Sequence, residues 1–154
     1  MTNTSRLRGM ATISFWAADA DMESAKQWYT ELLGVPPYFE RRGPDDRLAY
    51  MEFRLGDYQH ELGLINRSYA PKAATAGPGG AIVYWHVDDV AATLETLTAM
   101  GATEYEPLTN RGPGFVTASV VDPFGNILGV MYNAHFLDIL NSDKVTVTGS
   151  KTPI

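Results

Sequence analysis

The sequence predicts an α+β protein built from two copies of one β-α-β-β-β module, and three observations carry that prediction. A strand–helix unit running from Ile13-Ser14-Phe15-Trp16 through Asp21 to Leu33-Gly34 returns as Ile82-Val83-Tyr84-Trp85-His86-Val87-Asp88-Asp89, closing at Met100-Gly101. The repeat keeps its spacing, since Ser14 to Ile82, Asp21 to Asp89 and Glu61 to Gly129 are each 68 residues apart, and Gly34 to Gly101 is 67. Each helical stretch is followed by short β-rich runs separated by Gly, Pro, Asn and Asp.

Residues 10–17 alternate weakly and are rich in β-formers, which predicts the first strand. Asp19 to Asp21 offers helix N-caps, and Met22, Ala25, Trp28, Tyr29, Leu32 and Leu33 then recur at helical spacing on one face. Gly34 stops that helix and Pro36-Pro37 prevents its continuation. Strands follow near 38–41, 48–54 and 58–65, with Gly43-Pro44-Asp45-Asp46 and Gly56-Asp57 as turns between them. Residues 66–80, with two prolines, three glycines and four alanines, read as a linker. The second module opens with a strand over 81–87. Asp88 or Asp89 caps a helix carrying Val90, Leu94, Leu97 and Met100, which Gly101 ends. Strands near 103–108, 115–121 and 127–132 complete it, with turns at 110–114 and 122–126. The expected organisation is a loose lead-in (1–9), a first module (10–65), the linker (66–80), a second module (81–133), and a short helix over 134–140 with a polar tail to 154.

Composition excludes several functions. Apolar residues make up 45% and charged residues 19% of the chain, so a folded core is expected rather than disorder. Twelve basic against 18 acidic side chains give a net charge of −6, and Lys and Arg form no stripe, so no nucleic-acid partner is expected. No apolar run approaches the roughly 20 residues that a bilayer requires, so no membrane association is expected. Residues 1–9 contain no apolar signal core, and a cytoplasmic location is the expectation. The absence of cysteine removes disulfides, thiolate nucleophiles and Cys-based zinc sites together.

With that element order in place, the chain resembles the vicinal oxygen chelate superfamily of glyoxalase I, extradiol dioxygenases, fosfomycin resistance enzymes and bleomycin-binding proteins. The resemblance spans roughly residues 10–133. It rests on Asp122-Pro123-Phe124-Gly125-Asn126 before the last strand, His86-Val87-Asp88-Asp89-Val90 opening the second helix, and Trp28-Tyr29 with Leu32-Leu33-Gly34 in the first. It implies paired, glyoxalase-like modules curling into an open eight-stranded cup with helices outside, and a homodimer. It also implies a metal held by a His, Gln or Glu from the first and last strand of each module. Carried over position by position, that set becomes Ser14, Glu61, Ile82 and Gly129. A catalytic divalent ion needs about three protein donors, and neither Ile82 nor Gly129 supplies one. The expectation is therefore no metal and no cofactor, with a divalent metal as the alternative.

Strand alternation from these positions places Ser14, Trp16, Glu61, Tyr84, His86, Gly129 and Met131 on the cup side, an apolar and aromatic lining suited to a small ligand. Arg111, between Asn110 and Gly112-Pro113-Gly114, is a candidate grip for an anion at the rim. Glu61 and His86 are the candidate catalytic acid/base groups. A strand histidine bonded to a neighbour, a carboxylate left over from the metal site and plain aromatic core packing are the competing accounts of His86, Glu61, and Trp16 with Tyr84. Three functions follow: a metal-independent small-molecule-binding protein; a lyase, isomerase or dioxygenase-type enzyme using Glu61 and His86 or a divalent metal; or a mainly structural role as a dimer.

Overall fold

The computed structural model describes residues 6, 10–72, 74 and 77–148, with 143–148 described by backbone alone. The expected lead-in over 1–9 and the end of the tail, 149–154, fall almost entirely outside the described residues. The chain divides into two compact units, Met1–Ala74 and Thr75–Ile154, within the stretch expected to be a linker.

In the first unit, strands β1 (Thr12–Ala17), β2 (Phe39–Arg42), β3 (Leu48–Leu55) and β4 (His60–Asn66) form one sheet in the order β1-β4-β3-β2. β1 runs parallel to β4 and the other pairs are antiparallel. Helix α1 (Met22–Leu33) connects β1 to the hairpins. Its Met22, Ala25, Trp28 and Tyr29 are buried, as are Phe15, Ala17, Met51, Phe53, Leu62 and Leu64 on the sheet. Tyr29 joins helix to sheet, its ring centroid lying 6.3 Å from both Phe15 and Phe53. Gly34 ends α1 at φ +69°, a left-handed geometry that L side chains resist, and donates its N–H to the Thr30 carbonyl.

The second unit repeats the plan. Strands β5 (Tyr84–His86), β6 (Thr103–Gly112), β7 (Phe115–Val121) and β8 (Ile127–Asn133) order as β5-β8-β7-β6, and helix α2 (Val90–Ala99) follows β5. The Asp89 side chain accepts the Ala92 N–H, so of the two candidate caps Asp89 is the one used. Asp21, offered by sequence as the corresponding cap of α1, makes no side-chain cap bond. Asp19 instead accepts from Asn66 Nδ2 at 2.6 Å and pairs with Arg47, tying the end of β1 to β4 and to the turn before β3. The family-like turn before β8 is closed by Asp122. Its carboxylate accepts from the N–H groups of Phe124 and Asn126 and from Asn126 Nδ2, while Gly125 supplies φ +92°.

The fold class is as expected: α+β, with two βαβββ modules. Three element boundaries differ. β5 begins at Tyr84, later than the expected 81, which leaves Ile82 outside the strand. β6 runs on to Gly112 through Pro107 and three register shifts, which an edge strand tolerates because one side of its backbone has no ladder partner. The final helix α3 covers Ala134–Thr148 and replaces the tail expected over 141–148. Asn133 Oδ1 accepts the His135 N–H at its start, and no Gly or Pro interrupts the sequence before Gly149.

Candidate functional site

Strand pairing in the first unit sets three rows of side chains across the face turned away from α1. Arg41, Tyr50, Ile65 and Trp16 are consecutive register partners from β2 to β1. Phe39, Glu52, Gly63 and Ser14 make the next row, and Arg54, Glu61 and Thr12 the third. Ser14, Trp16 and Glu61 therefore share a face, as their alternation with buried Phe15, Ala17, Leu62 and Leu64 required.

Glu61 is the centre of a polar network. It accepts from Thr12 Oγ1 and, at 2.6 Å, from the Tyr38 hydroxyl, and pairs with Arg54 at 3.1 Å. The Tyr38 hydroxyl also reaches Glu52, which accepts from Tyr50 at 2.6 Å. The Arg54 guanidinium lies 4.8 Å from the Tyr38 ring centroid. The bonds from Thr12 and Tyr38, helped by Arg54, hold the Glu61 carboxyl below the usual carboxylate range. Tyr38 is pushed well above the ordinary phenol value by its bonds to Glu52 and Glu61, and Tyr50 by burial and then by Glu52. Tyr38, Tyr50, Glu52, Arg54 and Thr12 were not singled out from the sequence. The alternation Tyr50-Glu52-Arg54 against Met51 and Phe53 was the available signal for three of them.

In the second unit one face carries Tyr84, Gly129, Ser119 and Glu106 as successive partners, and His86, Met131, Thr117 and Thr109 as the next row. Tyr84 donates to Glu106 at 3.1 Å, and burial followed by that bond raises its pKa. Ser119 also donates to Glu106, at 3.4 Å. Arg111 lies on β6 rather than in a turn, and its Nε donates to Thr117 Oγ1 at 3.1 Å. The His86 side chain is only 7% exposed, and its ring stacks on Phe136 at 4.9 Å. The backbone N–H of Asn133 donates to His86 Nδ1 at 3.2 Å, so a neutral ring carries its proton on Nε2. Nε2 is buried without a hydrogen-bond partner among the described residues, 3.5 Å from Asp88 Oδ1. A base needs a free lone pair, and the one His86 lone pair is already engaged.

The four positions that correspond to the expected ligand set do not fit a divalent ion. Gly129 has no side chain, and a Cβ there would lie 2.7 Å from Tyr84 Cδ1, 2.9 Å from the Val83 carbonyl oxygen and 3.0 Å from Ile82 Cγ2. Tyr84 and Ile82 thus fill the space a ligand side chain at 129 would need. Ser14 stands opposite Gly63, and a Cβ on Gly63 would lie 2.7 Å from the Tyr50 hydroxyl. Glu61 is already committed to Thr12, Tyr38 and Arg54. Among the described residues, no group of three or more His, Asp or Glu side chains could hold a metal.

The fold defines a class, proteins made of duplicated βαβββ modules. The family model described as Glyoxalase/Bleomycin resistance protein/Dioxygenase superfamily matches residues 12–130, and the chain belongs to that superfamily. A glyoxalase-related enzyme from Fulvimarina pelagi is similar at 24% identity, with 82% of this chain and 89% of that one covered and a TM-score of 0.63. A superfamily member from Sphaerobacter thermophilus is similar at 20% identity over 81% and 97% of the two chains, also with a TM-score of 0.63. The glyoxalase family protein from Enterococcus faecalis gives 19% identity, 80% and 97% coverage and a TM-score of 0.59. At these identities the likeness carries the fold alone. No curated protein matches the chain. Among the described residues, no helix is long and apolar enough to cross a membrane.

Proposed function

We propose that this protein binds a small molecule without a metal, on the face that carries Trp16, Tyr50 and Ile65 in the first unit or on the face that carries Tyr84 and Met131 in the second. The observation that supports this most is Gly129. The position assigned by resemblance to a metal-binding carboxylate has no side chain, and Tyr84 stands where one would go. Binding asks only for burial of an apolar body and a few polar contacts, and these faces offer tyrosines, a tryptophan and hydroxyl groups. Acid/base catalysis is less well supported, since Glu61 is held as an ion pair and His86 has its accepting nitrogen engaged. Action in the cytoplasm as a homodimer belongs to the same proposal and rests on the resemblance and composition.

Elemental analysis of the purified protein, with native mass spectrometry of the same sample, tests the reading. The expected result is far less than about one divalent ion per chain, and a bound organic species or a melting temperature raised by candidate ligands. A stoichiometric Zn, Ni, Fe or Mn ion, lost together with activity on chelation, would overturn it.

A further inference from the structure

The first unit contains a cavity of about 700 Å³ lined by Arg41, Arg42, Gly43, Pro44, Ala49, Tyr50, Ile65 and Tyr69. That volume falls within the roughly 300–1,000 Å³ usual for small-ligand sites. Arg41, Tyr50 and Ile65 belong to one cross-strand row, so their side chains share a face of the sheet. A register shift between Arg41 and Arg42 leaves one extra residue on β3 at the cavity edge, the kind of irregularity that re-aims side chains.

 Ala49 is that extra residue, and its methyl group adds to an apolar wall made with Pro44, Tyr50 and Ile65.

Charge sets this cavity apart. The other arginines of β2, β3 and the turn between them are neutralised: Arg42 pairs with Glu23 at 2.9 Å, Arg47 with Asp19 and Asp45, and Arg54 with Glu61 at 3.1 Å. Arg41 pairs with no carboxylate among the described residues, although Glu40, Asp45 and Asp46 are close in sequence. The Tyr69 hydroxyl, beside Gly43, likewise has no hydrogen-bond partner among the described residues. The Tyr50 hydroxyl is turned to Glu52, so the ring contributes a flat surface rather than a donor. An unpaired guanidinium, a free phenol O–H and an aromatic–aliphatic wall match one ligand chemistry. The guanidinium fork fits a carboxylate through two parallel N–H···O bonds, and the wall fits a planar apolar body.

We propose that this cavity binds a small planar organic carboxylate, with Arg41 gripping the carboxylate, Tyr69 donating to it, and the apolar body lying against Tyr50 and Ile65. This deepens the binding reading above and rests on it. The resemblance to the family did not single out Arg41 or Tyr69, and neither is among the four positions of its metal set.

Three probes of one shape test it by isothermal titration calorimetry on the full chain: 2-naphthoate, the neutral 2-naphthamide and the cationic 2-naphthylmethylamine. The expected result is naphthoate binding at least tenfold tighter than either of the others, with an affinity that falls as salt rises. Arg41→Gln should remove that preference, and Tyr69→Phe should weaken naphthoate several-fold, both with unchanged circular dichroism because both side chains are exposed. Naphthoate affinity unchanged in Arg41→Gln overturns the proposal. Amide or amine binding as tightly as naphthoate overturns the anionic class while small-molecule binding stands. If none of the three binds, the cavity assignment falls, and the metal-free reading is still decided separately by elemental analysis.

Discussion

Tyr38 carries one hydroxyl proton and faces two carboxylates, Glu52 and Glu61. It can donate to only one of them at a time, and each carboxylate has a partner of its own: Tyr50 on Glu52, and Thr12 with Arg54 on Glu61. Removing the Glu52 charge should therefore ease both phenols, Tyr38 only in part because Glu61 still accepts from it. In Glu52→Gln, absorbance titration should show Tyr38 and Tyr50 ionising closer to the ordinary value of about 10. Unchanged phenol titration in that variant would mean the network does not form in solution. Glu61 allows a second test. Its folded-state pKa is depressed, so the stability it contributes is present above the unfolded carboxylate value and is lost as pH falls through the lower, folded value. The melting temperature of the wild type should consequently fall more steeply below about pH 4.5 than that of Glu61→Gln. Parallel acid limbs would remove Glu61 from the network.

At the scale of elements, the two helices are capped differently although their sequences offer the same residue type. Asp89 accepts the Ala92 N–H, whereas Asp21 accepts nothing at the start of α1. Asp89→Ala should cost about 1 kcal/mol in chemical denaturation and Asp21→Ala less than about 0.5 kcal/mol. Sequence could not separate the two, because a cap depends on the backbone geometry of one residue: Asp89 is extended at φ −137°, while Asp21 is already helical at φ −101°, ψ −4° after a short 3-10 turn. Gly129 makes a sharper claim. Its added Cβ would meet a tyrosine ring, a backbone carbonyl and the Ile82 side chain, and the carbonyl is the contact that cannot move aside. Gly129→Ala should destabilise by roughly 1–3 kcal/mol, with Tyr84→Ala restoring only part of the loss when the two are combined, relative to Tyr84→Ala alone. Full tolerance of Gly129→Ala would show that the position assigned by resemblance to a metal ligand is open rather than filled.

Across the whole molecule, what could be read from sequence was local and repeated. Helix stops at Gly34 and Gly101, the Asp122-Pro123-Phe124-Gly125-Asn126 turn and the weak alternation of β1 each depend on a few neighbouring residues, and the duplication checks one copy against the other. Non-local features were not legible. Tyr38 meets Glu61 across 23 residues, and Arg41 meets Tyr50 and Ile65 only once β2, β3 and β4 are in register. The linker composition gave no sign that Tyr69 would line a cavity, and a polar composition past residue 140 concealed the continuation of α3. The ligand positions at Ser14, Glu61, Ile82 and Gly129 came from resemblance, and the structure adds the physical reason that Gly129 matters, which is the tyrosine beside it. This gives a prediction for the intact chain that does not depend on any one contact. A ligand that binds only the folded state adds stability of RT ln(1 + [L]/Kd), about 2.7 kcal/mol at a hundredfold excess over Kd. A family-type metal centre would thus raise the melting temperature by several degrees when Zn, Ni or Mn is added in excess, and a chelator would reverse it. Here the melting temperature should move by less than about one degree under metal or chelator, whereas a bound organic ligand should raise it in proportion to the logarithm of its concentration. A reversible, saturable rise with a divalent ion would return the protein to the metal-dependent branch of its superfamily.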